Sequence, residues 1–165
     1  MIDLREYEDL ARESGAYTDI ELDILSEALG AWSKSPGDPD VLVELRDGKT
    51  LAGFALMRRE GAAENTFNAQ AICVGPPYLG PGATRSLLAE LEDEIRKKSD
   101  SAILRIETST MKTSAFGAAA LEGAGYSLIG HIPDFYARGN DYFMYAKHLH
   151  APGREGGNRA ERKEE

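Results

Sequence analysis

The stretch from Asn68 to Lys98 constrains this chain more than any other. It holds an apolar run, Ala71-Ile72-Cys73-Val74, short enough to be a buried strand. A turn crowded with Gly75, Pro76, Pro77, Gly80, Pro81 and Gly82 comes next. A helix then begins at once, with Leu87, Leu88, Leu91 and Ile95 on one face and Glu90, Glu92, Lys97 and Lys98 on the other. Strand, glycine turn, helix start is an arrangement suited to anions. The first helical N–H groups have no partner within the helix, and their dipoles sum to a partial positive charge. Glycine lets the backbone approach a phosphate without a Cβ in the way, so a pyrophosphate is the natural guest.

Two familiar phosphate loops are absent. Gly48-Lys49-Thr50 lacks the earlier glycine of a Walker loop, since Val43 stands at that spacing. Gly80-Pro81-Gly82 is followed three residues on by Arg85, where a dinucleotide loop needs glycine.

The rest of the chain predicts a single domain over residues 1–150. Leu4, Tyr7, Leu10 and Ala11 form one stripe of a helix from Ile2 to Ser14, which Gly15 ends. Thr18-Asp19-Ile20-Glu21 is a capping-box pattern launching a second helix to about Trp32, with Ile24, Leu25, Ala28, Leu29 and Trp32 as its buried stripe. Val41–Leu45 and Leu51–Met57 read as strands around the hairpin signal Asp47-Gly48. Thr66–Val74 is a third strand, so the first three form an antiparallel meander. The glycine-loop helix leads to a strand at Ala102–Glu107, a βαβ unit whose strands should be parallel. A helix over Ser114–Glu122, closed by Gly123 and Gly125, precedes two final strands, Tyr126–Ile132 and Tyr142–Lys147. From Ala151 to Glu165 apolar periodicity stops, and this stretch reads as a disordered polar tail.

Composition narrows the function classes. A net charge of −9 argues against a broad grip on nucleic acid or an anionic membrane surface. No apolar run reaches the roughly 18 residues of a membrane span. The single cysteine, Cys73, allows no internal disulfide and suggests a cytoplasmic setting. Within an apolar strand it reads as an inert buried thiol. His148-x-His150 lacks nearby cysteine or carboxylate, so no metal site is expected.

The loop Leu79-Gly80-Pro81-Gly82-Ala83-Thr84 resembles the acyl-CoA loop of the GNAT acetyltransferases, [QR]-x-x-G-x-[GA] after a strand ending in Val. Leu79 replaces the usual Gln or Arg, and Thr84 the second small residue. Downstream, Glu107-Thr108-Ser109, Glu122-Gly123-Ala124-Gly125-Tyr126, Ile132 to Asp141 with its Asp134-Phe135-Tyr136, and Lys147-His148-Leu149 resemble segments of a bacterial GNAT subgroup. Together with Gly15-Ala16-Tyr17-Thr18 and Glu21, the resemblance covers residues 14 to 149.

It implies an α/β fold with a mixed sheet: an antiparallel meander, a βαβ unit, then a helix and two strands. It implies acetyl-CoA as co-substrate and a small-molecule or peptide amine as acceptor, and it allows a homodimer. Ile72, Cys73 and Val74 would line the pantetheine as an added strand would. The backbone from Leu79 to Thr84 would cradle the pyrophosphate, with the Thr84 hydroxyl and Arg85 within reach of it. Two departures bear on chemistry. Leu121 stands where the family has a tyrosine that protonates the departing thiolate, and Asn68, Ala69, Gln70 and Ala71 stand where a strand carboxylate is common. Glu107 and Tyr136 are the candidate replacements, with Asp134 and Asp141 as candidate anchors for a cationic amine. The alternative is a GNAT domain without catalysis, acting as an acyl-CoA sensor or interaction module.

Overall fold

The computed structural model describes residues 3–112 and 117–150 of the chain. Its first two helices are set by local signals. α1 (Arg5–Ser14) ends at Gly15, whose φ of 68° is the left-handed conformation a C-cap glycine supplies. α2 (Asp19–Lys34) begins with the capping box in place, Thr18 accepting from the Glu21 N–H and Glu21 reaching back to the Thr18 N–H. Tyr7, Leu10 and Ala11 of α1 pack with Leu25, Ala28 and Leu29 of α2. Ile24 departs from the expected stripe and is 57% exposed. It lies one turn from exposed Ile20, on the flank of the helix rather than over the sheet.

Six strands form one sheet: β1 (Asp40–Asp47), β2 (Thr50–Arg59), β3 (Thr66–Val74), β4 (Ser101–Ser109), β5 (Ser127–Ala137) and β6 (Asn140–His150), in the order β1-β2-β3-β4-β6-β5. The first three are the antiparallel meander, and β4 joins β3 in parallel through α3 (Pro81–Arg96). One core lies between the sheet and α3, with Leu87, Leu88, Leu91 and Ile95 against Ala55, Ile72, Val74, Leu104 and Ile106. The other lies under α1 and α2, around Phe54, Leu56, Ala71 and Cys73. Gly53 is needed where these layers meet, because a Cβ there would come within 2.9 Å of the Cys73 carbonyl.

A bulge in β3 decides what each face of that strand carries. Met57 pairs with Ala69 and Leu56 with Ala71, leaving Gln70 without an opposite residue. The extra residue inverts the in–out alternation. Phe67 before it and Ile72 and Val74 after it therefore all reach the α3 side, while Ala71 and Cys73 reach the other.

Two expectations are corrected beyond β4. The helix foreseen over Ser114–Glu122 is not continuous. A helical turn starts at Thr110, capped by Ser109 Oγ accepting from the Lys112 N–H at 3.2 Å. Gly117 then takes φ 84°, and α4 is only Ala118–Gly123. Residues 113–116 and the tail 151–165 lie outside the described residues. The stretch Pro133–Tyr136 is not a loop but an irregular part of β5. Ile132 pairs with Tyr142 and Ala137 with Asn140, so β5 carries extra residues there, among them Asp134 at φ 54°.

Candidate active site

β3 and β4 are hydrogen-bonded neighbours only at Thr66–Asn68 against Ile103–Arg105. Beyond Asn68 they part, and the bulge at Gln70 marks where β3 turns away. A wedge opens between two strands whose facing backbone groups have no ladder partner. The Gly75 N–H donates to the Ala52 carbonyl at 2.8 Å, so the backbone of Gly75 faces β2. Strand alternation turns Cys73 toward β2 with it, and turns Ile72 and Val74 toward the wedge. Of the three strand residues expected to line a ligand, Ile72 and Val74 do face the gap. Cys73 does not. Its thiol is buried, which pushes its pKa up to about 12 and makes it inert.

The wedge leads to the glycine turn. Pro76–Tyr78 form a 3₁₀ turn, tied down by the Tyr78 hydroxyl donating to Asp47 Oδ2 at 3.1 Å. Leu79 is half-exposed, Gly80 is the N-cap of α3 and Pro81 its first residue. Among the described residues no side chain caps this helix start. A Cβ on Gly80 or Gly82 would meet nothing within 4 Å, so the protein's own packing does not require glycine at position 82. The uncapped N–H groups and the empty space beside them suit a phosphate. Two side chains expected to help are directed elsewhere. Thr84 is fully buried, and the Arg85 guanidinium lies against α4, where a Cβ on Gly123 would be 2.5 Å from Arg85 Nη2.

At the other end of the wedge, a cavity of about 30 Å³ is lined by Tyr17, Gln70, Ile72, Glu107, Thr108 and Lys112, among others. It has room for about two waters. The Tyr17 hydroxyl donates to the Ile72 carbonyl at 3.1 Å, and burial raises its pKa far above the usual phenol value, so it stays a donor. Lys112 Nζ is 2.5 Å from Glu21 Oε1 and 5.0 Å from the centre of the Tyr17 ring. Burial opposes ionisation of Glu21, but the bonds from Lys112 and Thr18 prevail and hold its carboxyl below the usual range. Thr108 is buried, and its hydroxyl has no hydrogen-bond partner among the described residues.

The two residues singled out for proton transfer are brought to one face. Glu107 reaches Arg105 at 3.3 Å. Tyr136 is half-exposed with its ring edge-on to Phe135 at 4.9 Å. Partial burial, then the charges of Glu107 and Glu21, raise the Tyr136 pKa, and burial and Glu107 do the same to Tyr142. Asp134 and Asp141 are not free anchors. Asp134 Oδ1 accepts from the Gly139 N–H, while Asp141 accepts from the Asp134 N–H and meets His131 Nε2 at 2.7 Å.

This architecture has known counterparts. A protein from Desulfovibrio desulfuricans assigned to the GNAT family of acetyltransferases superposes with a TM-score of 0.75 at 25% identity, over 88% of this chain and 91% of its own. The chain has the GNAT fold. The ribosomal-protein-S18-alanine N-acetyltransferase of Escherichia coli matches over 94% of both chains, with a TM-score of 0.68 at 19% identity. An aminoglycoside 6'-N-acetyltransferase complexed with coenzyme A matches over 87% of this chain and 89% of its own, with a TM-score of 0.65 at 16% identity. No protein-family model and no curated protein matches.

Within the GNAT fold of this chain, Leu121 belongs to the core on the α3 side and has no exposed surface. Tyr17, Glu21, Thr108, Lys112 and Tyr142 were not evident as one site, since they come from α2, β4, β6 and the segments beside them. The helix cap at Thr18 and the resemblance segments around Tyr17, Glu21 and Thr108 are the sequence signals that point near them. Among the described residues, no group of three or more His, Cys, Asp and Glu could hold a metal, and no helix is long and apolar enough to cross a membrane.

Proposed function

We propose that this protein transfers an acetyl group from acetyl-CoA to an amine. The observation that carries this reading is the continuity of the wedge. Backbone of Ile72 and Val74 that lies outside the β3–β4 ladder leads directly to an uncapped helix start with open space at Gly82. A pantetheine amide could bond to the strand as an added strand would, with the pyrophosphate against the backbone of Gly80 to Ala83. Acetyl-CoA supplies an acyl group activated as a thioester.

The chain's own residues would position and polarise. An N–H of β3 facing the wedge can polarise a carbonyl placed there. Glu107, which lines the cavity, can attract a cationic amine, and the phenols of Tyr136 and Tyr142, kept protonated, can donate. Positioning alone accounts for a large part of such an acceleration. A general acid or base contributes typically 10²–10⁴-fold, so its weakening slows the reaction without abolishing it. The neighbours named above act on an alanine of a ribosomal protein and on aminoglycosides, which supports an amine acceptor in general.

One observation favours a second reading, an acyl-CoA-binding sensor: the position of the missing tyrosine is filled by a fully buried leucine. Melting with acetyl-CoA and with CoA, followed by an acetylation assay on an amine panel, separates the two. Saturation at 100–1,000 times the dissociation constant should add about 2.7–4.1 kcal/mol. A stabilisation with turnover supports the enzyme, a stabilisation without turnover the sensor, and no stabilisation sinks both.

A further inference from the structure

The cavity where β3 and β4 begin to part already holds an amine. Among the described residues, Lys112 is the lysine that lines it, together with Tyr17, Gln70, Ile72, Glu107 and Thr108. Its Nζ is held by Glu21 Oε1 at 2.5 Å and lies over the Tyr17 ring. The Tyr17 hydroxyl is in turn bonded to the Ile72 carbonyl, on the strand that faces the wedge. A carboxylate and an aromatic face are the two groups that recognise an ammonium most readily. Lys112 thus sits as a bound acceptor would.

The remaining lysines described are placed elsewhere. Lys97 is bonded to Glu94, Lys98 to the Gly37 carbonyl, and Lys147 to the buried Glu92 on the far side of the sheet. Lys34 closes α2, and Lys49 is in the β1–β2 turn. Among the described lysines, only Lys112 shares this cavity with Ile72.

We infer that Lys112 is a self-acetylation site: the protein transfers the acetyl group of acetyl-CoA to its own Nζ within this cavity. This rests on the acetyl-CoA reading above. The ammonium gives one proton to solvent, and the neutral Nζ forms a bond to the acetyl carbonyl carbon. The C–S bond breaks, the sulfur leaves with the electron pair as the thiolate of CoA, and the second Nζ proton goes to solvent. No oxidant, metal or further co-reactant is needed. The product is an amide without charge, so the ion pair to Glu21 is lost. That carboxylate is then free to receive the ammonium of an external amine.

The test uses the full chain with acetyl-CoA and no other amine, followed by intact mass and peptide mapping over time. The expected result is one acetyl group, mapped to Lys112, appearing at least about tenfold faster than on Lys34 or Lys49, because the cavity holds the amine in place. Excess CoA should suppress this label while leaving slow surface labelling unchanged. Lys112→Arg should lose the label yet keep its thermal stabilisation by acetyl-CoA. If acetyl-CoA stabilises the protein but Lys112 is labelled no faster than the surface lysines, self-acetylation is wrong while the acyl-CoA reading stands. A label at Lys112 that excess CoA does not suppress arises outside the wedge and equally overturns the inference. If acetyl-CoA gives neither stabilisation nor label, the acyl-CoA reading itself has failed.

Discussion

The Tyr17 hydroxyl donates to the Ile72 carbonyl at 3.1 Å, joining the segment before α2 to the strand that borders the wedge. That carbonyl is one of the groups a pantetheine would meet if it added as a strand. A carbonyl oxygen has two lone pairs, so Tyr17 and a ligand can share it. Tyr17→Phe should cost about 0.5–1.5 kcal/mol in the free protein. The loss should be smaller with saturating CoA, which supplies a replacement donor. Paired urea titrations with and without CoA check this; an equal loss in both would show that the ligand leaves Ile72 untouched.

Gly82→Asp separates binding from folding. A Cβ at this position meets nothing within 4 Å, and a carboxylate in the first turn of α3 interacts favourably with the helix dipole by about 0.3–1 kcal/mol. Stability should therefore hold or rise slightly. A pyrophosphate brought to the same helix start would meet a like charge, so the stabilisation by CoA should largely disappear. Melting temperatures with and without CoA are the readout. A variant that binds CoA as well as the parent would place the pyrophosphate elsewhere.

The Glu21–Lys112 pair gives stability a defined pH dependence. The folded-state pKa of Glu21 lies below its unfolded value, by its bonds to Lys112 and Thr18 against the effect of burial. Its contribution is complete above the unfolded pKa of about 4.3 and is lost as pH falls through the folded value. Lys112→Met should be less stable than the parent at pH 7, and the difference should shrink as the pH drops below about 4. Urea unfolding across that range measures it; a constant difference would remove the ion pair as its cause.

Glu92 and Lys147 form a buried pair, bonded at 2.8 and 2.9 Å, with Lys147 also donating to the Ala124 carbonyl. Lys147→Met leaves the buried Glu92 carboxylate with the longer, 3.4 Å contact to Arg96 in place of its two short bonds, and should cost up to about 3–5 kcal/mol. Replacing Glu92 with Leu as well should recover much of that loss. Chemical denaturation of the parent, single and double variants decides the matter, and a double variant as unstable as the single one would contradict it.

Leu121→Tyr tests whether the residue the fold family uses at this position can be restored. Leu121 has no exposed surface and packs in the core on the α3 side. The larger side chain should destabilise by about 1–3 kcal/mol, as overpacking does, rather than present a phenol to the wedge. A variant of parental stability with faster amine acetylation would show instead that the position opens toward the sulfur of CoA.

Local signals in the chain determined much of the framework. The Thr18–Glu21 capping box, the glycine at position 15, the Asp47-Gly48 hairpin and the strand Thr66–Val74 all lie where the residues place them. Each depends on groups a few positions apart, and the parallel pairing of β3 with β4 follows from the handed βαβ connection. Tertiary structure alone decided three features of the site. The bulge at Gln70 arises from pairing with β2, and it determines which strand residues face the wedge. The run Pro133–Tyr136, which reads as a loop, is held in β5 by pairing with β6 and by the bonds of Asp134 and Asp141. Lys112 meets Glu21 across 91 positions because the turn after β4 folds back onto the start of α2. A contact between residues so far apart in sequence exists only once the sheet has formed, so no local pattern of spacing or charge could carry it.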